Sequence, residues 1–479
     1  MRIPGLRALL FLIFTLILLS SHAQDMPLLL RNVTTISVID GTIRSNQSVL
    51  IEAGKIKAIG NHVSLSNAGK KAIEINGAGK FLIPGLWDMH VHLEGADLVE
   101  DNQALLPLFL TYGITTVRDC ASDLGEQVLR WRSEIKQGKL IGPTIYTAGL
   151  KLEGKNSIWK GDLEIENETE LSQMLDRLDG YKVDFVKITE NTLKGDLFLK
   201  SVKAAHARGY RVSGHVPIDL TIRELVAAGF TSIEHASYLM RLGYDQEGIT
   251  ADLLSGKISR SEAEARYAGP FDQAKAIEGY KFLAGAGTFV CPTLIGGRQL
   301  AYLDETDHRA DVSLQYLTQK YVANYQWRVD RMANETPEQR RQRKERYQFL
   351  LHQMPYIQNA GVTIIAGSDA AALNTYVYPA ESLIAELELF AEAGLTPLQI
   401  LQAATINGAR YFGLASTTAG LEAGKDADLV LLDKNPLQGV DALRTVQAVI
   451  ARGRYFSRGD LDRIREQVKK TKLALDRRK

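Results

Sequence analysis

Four histidines and an aspartate stand near the ends of apolar, strand-like runs of the sequence. His90 and His92 close LIPGLWDMHVH, while His215, His235 and Asp369 lie in RVSGHV, SIEHAS and TIIAGSDA. Residues two apart on a strand project to the same side, so both imidazoles of the HxH pair can reach one cation. A single strand histidine is more often structural, and an aspartate after a strand often caps a helix. The repetition of ligand-type residues at strand ends instead indicates a metal site.

Lys187 occupies the same kind of position, in the run DFVKIT. Taken alone, it is a strand-end lysine that keeps its ammonium in water. An ammonium cannot ligate a metal, but a neutral amine can add carbon dioxide and form a carbamate, whose two oxygens can bridge a pair of metals. This chemistry requires a lowered lysine pKa, which neighbouring positive charge favours.

Eight apolar runs alternate with helical stretches in the middle of the chain, which is the pattern of repeated βα units around a parallel sheet. The runs are LIPGLWDMHVH, GITTVRDCA, PTIYTAG, DFVKIT, RVSGHV, SIEHAS, FVCPTL and TIIAGSDA. Eight such strands can close a (β/α)8 TIM barrel, whose chemistry sits at the carboxyl ends of the strands. Because the ligand-type residues lie at these ends, we predict an α/β fold with such a barrel.

Both ends of the chain predict short strands separated by turns. Examples are SVLIEAGKIKAIG near the start and GKDADLVLLD near the end. Neither piece has enough strands to bury a stable face alone, so we expect both to pair in one small β-sandwich domain. The predicted organisation is a signal peptide (1–23), a first part of the β-sandwich (24–80), the barrel (81–415) with a helical insertion at about 243–347, a second part of the β-sandwich (416–458) and a charged C-terminal helix or tail (459–479).

The first residues have the features of a secretory signal peptide: two arginines, an apolar run at 8–19 and small residues before Ala23. That run is short against the roughly 20 residues that span a bilayer. We therefore expect cleavage after Ala23, a periplasmic or secreted location and no stable membrane insertion afterwards. An exported chain with only Cys120 and Cys291 is not built on disulfides, and both are expected to be buried thiols.

The formal net charge is +1, from 57 Lys and Arg against 56 Asp and Glu. A nucleic-acid-binding protein would show a basic excess or patch, so no nucleic-acid partner is expected. The basic run ETPEQRRQRKERY has interspersed acids and no aromatic ladder, which predicts a solvated helix. The insertion that contains it could roof the barrel mouth and shape substrate choice.

The motifs PGLWDMHVH, FVKI, GHVP, IEHAS and GSDA, followed by AGLTPLQILQAATINGARYFGL and GLEAGKDADLVLLDKNPL, resemble those of the amidohydrolase superfamily. The resemblance covers most of the mature chain. The ligand pattern is that of the members that bind two metal ions. Its nearest subgroups are the imidazolonepropionase-like and Xaa-Pro dipeptidase-like members. One departure is Ile384, where many relatives carry a histidine, and it leaves the contribution of that region to the substrate pocket open.

The resemblance implies two divalent metal ions. The more buried one would be bound by His90, His92 and Asp369. The other would be bound by His215 and His235, with carboxylated Lys187 as the bridging ligand. These ligands suit zinc best, with manganese, cobalt and iron as alternatives.

A pair of divalent cations sharing a water lowers the pKa of that water toward ~7 and polarises a scissile carbonyl. Asp369 would take the proton from the attacking hydroxide and pass it to the leaving nitrogen, as general base and then general acid. We therefore predict an exported metal-dependent amidohydrolase that cleaves the amide (C–N) bond of a dipeptide or N-acyl amino acid with a metal-activated hydroxide. Two alternatives stay open: a hydrolase of a cyclic amide, lactone or other ester on the same site, and a catalytically inactive metal-bearing binding protein.

Three further residues are candidates for substrate contacts. Tyr238 could hydrogen-bond a developing oxyanion, and a packing role beside the barrel mouth is the alternative. Arg118 and Arg298 could hold a substrate carboxylate bidentately, and a structural role is the alternative for both. The expected partner is a small-molecule substrate, and a homo-oligomer stays open.

Overall fold

The structure is a computed structural model that describes residues 26–61 and 72–478, so the predicted signal peptide lies outside the described residues. The strands are β1 (Leu28–Ile36), β2 (Ile43–Glu52), β3 (Lys55–Gly60), β4 (Ile73–Asn76), β5 (Phe81–Pro84), β6 (Leu86–Val91), β7 (Ile114–Asp119), β8 (Thr144–Thr147), β9 (Leu152–Gly154), β10 (Leu163–Ile165), β11 (Val186–Ile188), β12 (Val212–Gly214), β13 (Phe230–Glu234), β14 (Phe289–Cys291), β15 (Thr363–Ile364), β16 (Leu429–Leu432), β17 (Val446–Ala451) and β18 (Arg454–Ser457).

The α-helices lie mostly between the strands of the middle region. They are α1 (Val99–Thr111), α2 (Glu126–Lys136), α3 (Glu168–Tyr181), α4 (Gly195–Ala207), α5 (Ile222–Ala227), α6 (Gln246–Leu254), α7 (Arg260–Arg266), α8 (Gln273–Ala286), α9 (Leu294–Ala301), α10 (Gln319–Ala323), α11 (Gln326–Met332), α12 (Pro337–Asn359), α13 (Glu381–Glu392), α14 (Pro397–Ala403), α15 (Ile406–Tyr411) and α16 (Arg458–Asp476). Several begin at a capping box, in which a Ser or Thr side chain and a Glu, Gln or Asp three residues later satisfy each other's backbone N–H groups. The capping residues are Thr221, Ser259, Thr336, Thr396 and Ser457.

Parallel strands alternate with helices from residue 86 onward. The order is β6-β7-β8 in one sheet and β10-β9-β11-β12-β13-β14-β15 in another. Hydrogen bonds join the two sheets on both sides: Met89 N–H donates to Ala366 O at 2.8 Å, and Asp184 N–H donates to Thr147 O at 2.9 Å. All residues of β6 and β7 are buried, as expected for strands covered on both faces. The protein is thus an α/β protein whose parallel strands are consistent with the predicted barrel.

The predicted first strand, LIPGLWDMHVH, is divided between two sheets in the structure. Its start forms β5 and its continuation forms β6, with Gly85 between them. A Cβ at Gly85 would lie 2.1 Å from Oγ1 of Thr115, so only glycine fits where the chain crosses from one sheet to the other.

Strands from both chain ends pair in one mixed sheet. Its order is β18-β17-β16-β5-β1-β2-β3, and β4 also pairs with β1. The two ends meet where β16 runs antiparallel to β5, with Leu429 opposite Pro84 and Leu432 opposite Phe81. Apolar side chains of β1, β2, β16 and β17 form the buried cluster of this sheet.

The region predicted as an insertion forms helices on both sides of β14, which itself belongs to the parallel sheet. The basic run lies in α12, where Arg341 pairs with Glu338 and Glu345 along an exposed face. Within residues 26–61 and 72–478, no helix combines the length and apolar character that crossing a bilayer requires. Cys120 and Cys291 are free and buried, as the sequence predicted.

Candidate metal centre

The six predicted ligand residues lie around one point, within or directly after the carboxyl-terminal parts of the parallel strands. Oδ1 of Asp369 lies 3.3 Å from Nε2 of His90 and 3.2 Å from Nε2 of His92. The Nε2 atoms of His215 and His235 lie 3.2 Å apart. His90, His235 and Asp369 each offer a ligand atom within 4.8 Å of the others. Lys187 lines the same cavity as His92, His215, His235 and Asp369.

The backbone holds these side chains at strand ends in unusual conformations. His235, directly after β13, has φ 67°, and Asp369, after β15, has φ 59°. Such left-handed conformations cost of order 1–3 kcal/mol for residues other than glycine, and they concentrate at functional sites. Hydrogen bonds fix both turns: Asp369 N–H donates to His90 O at 2.7 Å, and His235 N–H donates to Cys291 O at 2.8 Å.

Each histidine uses Nδ1 for a protein contact and leaves Nε2 facing the centre. Nδ1 of His92 donates to Ala121 O at 2.9 Å, and Nδ1 of His215 donates to Glu190 at 2.8 Å. The partners of the other two are Glu234 for His90, at 2.8 Å, and the hydroxyl of Thr293 for His235, at 2.7 Å. This arrangement, in which a second partner orients the ring, is the usual one around metal-binding histidines.

Glu234 connects His90 to a buried charge. Both of its carboxylate oxygens accept from Nη2 of Arg118, at 2.8 and 2.7 Å, and the hydroxyls of Ser213 and Ser232 donate to the same carboxylate. All these groups are buried. Glu234 therefore fixes the ring of His90 while Arg118 balances its charge.

The position of Arg118 corrects the expectation that it binds a substrate carboxylate. Its side chain is 0% exposed and is already paired with Glu234 beneath the centre, so a substrate cannot reach it. Arg298 is also corrected, since it lies in α9 with its guanidinium carbon 4.2 Å from the ring centre of Tyr302 and does not line the cavity.

Tyr238 lies beside His215, with ring centres 5.6 Å apart. Its hydroxyl donates to Oε1 of Glu190 at 2.6 Å, so the two residues and His215 form a connected group. Burial and the adjacent carboxylate raise the pKa of the Tyr238 hydroxyl, which keeps it a hydrogen-bond donor. The role of Tyr238 toward an oxyanion stays a prediction.

The loop after β11 is anchored by Glu153, a residue that the sequence analysis did not single out. Its buried carboxylate accepts from the hydroxyl of Thr189 at 2.8 Å and from the backbone N–H groups of Asn191, at 2.9 Å, and Leu193, at 3.0 Å. Glu190 lies in this loop. Glu153 thus holds the residue that orients His215.

The donor set fits a pair of divalent cations. Nε2 of His90 and Nζ of Lys187 are buried and have no hydrogen-bond partner in the described part of the chain. Such unpaired polar atoms are rare in protein interiors and call for a ligand. Four imidazole nitrogens, a carboxylate and a lysine beside them are groups that zinc and similar cations bind, the lysine once it is carboxylated.

The charge states of His90, His235 and Asp369 suit metal binding. Burial lowers the pKa of His90 to about 4, and it also lowers the pKa of His235 well below its usual value. Burial opposes ionisation of Asp369, but the interactions with His90 and His92 outweigh it and hold the pKa of that carboxyl far below its usual range. At His92 the hydrogen bond to Asp369 and the charges of Glu94 and Asp369 outweigh burial and raise the pKa of the ring. Neutral imidazoles and an ionised carboxylate are the forms that ligate metals, so a metal that binds His92 displaces its proton.

A cavity of about 710 Å³ opens above the centre. Its walls include Trp159, which lies between β9 and β10, and Asn324, Trp327 and Arg328 from the predicted insertion. The insertion therefore contributes directly to the pocket. These residues were not predicted from the sequence, although the adjacent Trp327 and Arg328 in YQWRVDR were a signal for them.

The family model described as Amidohydrolase family matches residues 81–456. An uncharacterized protein of Mycobacterium tuberculosis is 24% identical over 398 residues, covering 79% of this chain and 86% of that protein. Ochratoxinase of Aspergillus niger is 23% identical over 463 residues, covering 86% of this chain and 82% of that enzyme.

Solved structures share the fold. A Xaa-Pro dipeptidase with bound methionine has a TM-score of 0.65 at 20% identity, and the match covers 90% of this chain and 100% of that chain. Bottromycin amidohydrolase has a TM-score of 0.69 at 19% identity, with 94% and 92% covered.

Proposed function

Because the chain belongs to the amidohydrolase family and is a hydrolase of carbon–nitrogen bonds, we propose that its substrate is a dipeptide or an N-acyl amino acid. The family match confirms the superfamily predicted from the sequence. The observation that carries the proposal is the convergence of four imidazole Nε2 atoms, Asp369 and an unpaired, buried Lys187 at one end of a deep cavity.

In this proposal the six residues hold two divalent cations, with zinc as the metal that best suits the donors. His90, His92 and Asp369 would hold one, His215 and His235 the other, and carboxylated Lys187 would bridge them. When bound, such cations lower the pKa of a shared water and polarise the scissile carbonyl.

Asp369 carries the proton in the reaction that we propose. The oxygen of a water adds to the amide carbonyl carbon while Asp369 accepts the proton, and Asp369 then donates it to the nitrogen as the C–N bond breaks. The ionised state of Asp369 suits the first step. Glu190 and Glu234 keep the rings of His215 and His90 oriented throughout.

The proposed substrate class is supported by the size of the cavity and by relatives. A volume of about 710 Å³ lies within the roughly 300–1,000 Å³ typical of small-molecule sites and accommodates a dipeptide. The Xaa-Pro dipeptidase, whose fold is similar to that of this chain, is named as an enzyme that cleaves dipeptides. We also infer that the parallel strands close into a (β/α)8 barrel, because hydrogen bonds join both seams of the sheets.

The test of the bridging residue is Lys187→Ala. We expect its metal content to fall below that of the wild type and amide hydrolysis to be lost, because the bridging oxygens are removed. Lys187→Glu supplies an anionic side chain and should retain more metal than the alanine variant. The matched control is Lys203→Ala, an exposed lysine on α4, which should keep full metal content. Normal metal content and activity in Lys187→Ala would refute the assignment.

The substrate class is tested by screening the metal-loaded protein against dipeptides, N-acyl amino acids, cyclic amides and lactones. Hydrolysis of lactones or esters alone would favour the ester alternative. A metal-loaded protein inert to the whole panel would favour a binding protein.

Export to the periplasm or medium is part of the same proposal and rests on residues 1–23. Amino-terminal sequencing of protein recovered from the exported fraction should begin at Gln24. Ala23→Asp should block this cleavage, because signal peptidases read small residues at that position. An intact Met1 on exported wild-type protein would refute the cleavage site.

A further inference from the structure

Arg328 is a cation in the wall of the cavity without a carboxylate partner. It lies on α11, half-buried, and lines the cavity together with Asp369. No salt bridge within the described part of the chain involves Arg328. Two other cations of the cavity wall already have a partner or a role: Lys151 is paired with Asp162 at 2.8 Å, and the buried Lys187 belongs to the candidate metal centre. A partly desolvated guanidinium is stabilised when an anion binds it.

The guanidinium of Arg328 is held in place by neutral groups. Nε donates to Leu373 O at 3.3 Å, and Nη2 donates to Oδ1 of Asn374 at 2.7 Å. Its carbon lies 4.7 Å from the ring centre of Trp327. None of the hydrogen bonds among the described residues involves Nη1. The arginine is thus positioned by its neighbours. The charges of Asp369 and Glu94 act on its guanidinium, but no carboxylate of the described residues forms an ion pair with it.

Asn374 connects Arg328 to the residue that handles the proton. Nδ2 of Asn374 donates to the backbone oxygen of Asp369 at 2.7 Å, while its Oδ1 accepts from Arg328. One side chain therefore separates the guanidinium from Asp369, which protonates the leaving nitrogen. In an α-amino acid the carboxylate carbon is two bonds from that nitrogen, so a cation near Asp369 can hold the carboxylate while the nitrogen is protonated.

An aromatic pair stands beside the arginine. The rings of Trp159 and Trp327 meet edge to face with centres 6.1 Å apart, and Nε1 of Trp327 donates to Leu373 O at 2.9 Å. Ile158, next to Trp159, is 69% exposed although it is apolar. Aromatic faces with apolar neighbours at a cavity favour an apolar or aromatic side chain of the ligand.

We propose that Arg328 binds the carboxylate of the leaving amino acid and that Trp159 and Trp327 bind its side chain, which must be apolar. This inference rests on the proposed function and deepens it. The favoured substrates are dipeptides or N-acyl amino acids whose last residue is aromatic or large and apolar and has a free carboxylate.

The anion site can be tested by binding alone, with two molecules that have no C–N bond and therefore cannot be hydrolysed. Hydrocinnamate and hydrocinnamyl alcohol share the aryl chain and differ in the carboxylate. We expect the metal-loaded wild type to bind hydrocinnamate about 10- to 100-fold more tightly in calorimetry, the range expected for hydrogen bonds to charged groups. Arg328→Gln should lose this preference, and Arg328→Lys should keep part of it. The matched control Arg331→Gln, an exposed arginine on the same helix, should keep it fully.

Two results of this titration would overturn the proposal. One is equal binding of both molecules to the wild type. The other is a preference that persists in Arg328→Gln, because a carboxylate held at the metal centre would not depend on Arg328.

Turnover separates this inference from the proposed function. In Arg328→Gln, the KM of an N-acyl phenylalanine should rise about 10- to 100-fold, while the KM of the matching carboxamide should stay unchanged. Equal changes for both substrates would overturn the inference and leave amide hydrolysis intact. The opposite result is also possible: the protein hydrolyses no amide, yet its preference for the carboxylate depends on Arg328. That result would refute the proposed amide hydrolysis and support the anion site.

The variant Trp159→Ala tests the proposed role of Trp159 and Trp327 in binding the apolar side chain. The ratio of kcat/KM for N-acyl phenylalanine over N-acyl alanine should fall roughly tenfold, the loss expected when an aromatic contact is removed. An unchanged ratio would overturn the role of the aromatic pair.

Discussion

At the scale of single residues, the centre depends on charges that never meet the substrate. Arg118 and Glu234 are fully buried beside one another, and Glu234 orients His90. Breaking a buried ion pair costs far more than breaking an exposed one, because one charge is left without a partner. This pair therefore couples the stability of the protein to the position of a ligand.

Glu234→Gln should lower the free energy of unfolding by roughly 3–5 kcal/mol, because it leaves Arg118 buried and unpaired. The measurement is urea denaturation. The matched control is Glu338→Gln, which breaks the exposed pair with Arg341 and should change stability by less than about 0.5 kcal/mol. The double variant Arg118→Gln/Glu234→Gln should lose less than the sum of the two single variants. Additive losses would contradict direct coupling.

The convergence of the candidate ligands could be predicted from the sequence, because their residue types recur at the ends of apolar runs. The residues that orient them could not. Glu234 precedes His235 and Glu190 follows the run of Lys187, but the contacts with His90 and His215 join different strands. The roles expected for Arg118 and Arg298 failed for the same reason, since burial and pairing depend on the packed structure. Arg328 and Trp159 required knowledge of which segments meet above the candidate metal centre.

At the scale of elements, the site requires close contact between neighbouring strands. Gly214 ends β12 directly before His215, and a Cβ there would lie 1.9 Å from the backbone oxygen of Ile188 at the end of β11. Lys187 and His215 extend from these two strand ends. The absence of a side chain at Gly214 thus sets the separation of two candidate ligands.

Gly214→Ala should separate β11 from β12, lower the free energy of unfolding by about 1–3 kcal/mol and reduce the bound metal. The matched control is Gly285→Ala in α8, where a new Cβ meets nothing within 4 Å. That variant should gain about 0.5–1 kcal/mol, as expected for glycine replaced in a helix. Thermal denaturation and metal analysis measure both effects. A Gly214→Ala protein with full metal content and unchanged stability would contradict this role of the glycine.

The strand runs of the middle region were predictable because strands buried on both faces are continuously apolar. The division of LIPGLWDMHVH into β5 and β6 is marked in the run only by Pro84-Gly85, a turn signal that does not reveal that the two parts join different sheets. The crossing depends on the contact of Gly85 with Thr115, which only the packed structure shows.

At the scale of the whole molecule, the mixed sheet contacts the parallel strands through Asp428 and Arg452. Asp428 accepts from the backbone N–H of Arg452 at 2.7 Å, and the guanidinium of Arg452 donates to Gly142 O at 3.2 Å. Burial raises the pKa of Asp428 to about 6, against the opposing hydrogen bond from Arg452. A buried titratable group thus lies at this junction.

The sign of its pH dependence follows from that raised pKa. The folded protein holds the proton of Asp428 more tightly than the unfolded chain, so this contribution to stability is complete below pH 3.8 and is lost as the pH rises through about 6. Asp428→Asn keeps an acceptor for Arg452 and removes the ionisation. The advantage of this variant over the wild type in unfolding free energy should increase by about 3 kcal/mol across that interval. Urea denaturation at a series of pH values measures it, and a constant difference would contradict the raised pKa.

The pairing of β5 with β16 also constrains how the protein reaches its native state. Lys80 and Asp433, which flank that pairing, are 353 positions apart in the sequence and form an ion pair. Contacts between such distant positions give a high contact order and slow the folding transition. The sheet remains incomplete until the last strands are present, and until then β5 has an unpaired edge that another chain could occupy. The protein is therefore most exposed to aggregation before β16 pairs with β5.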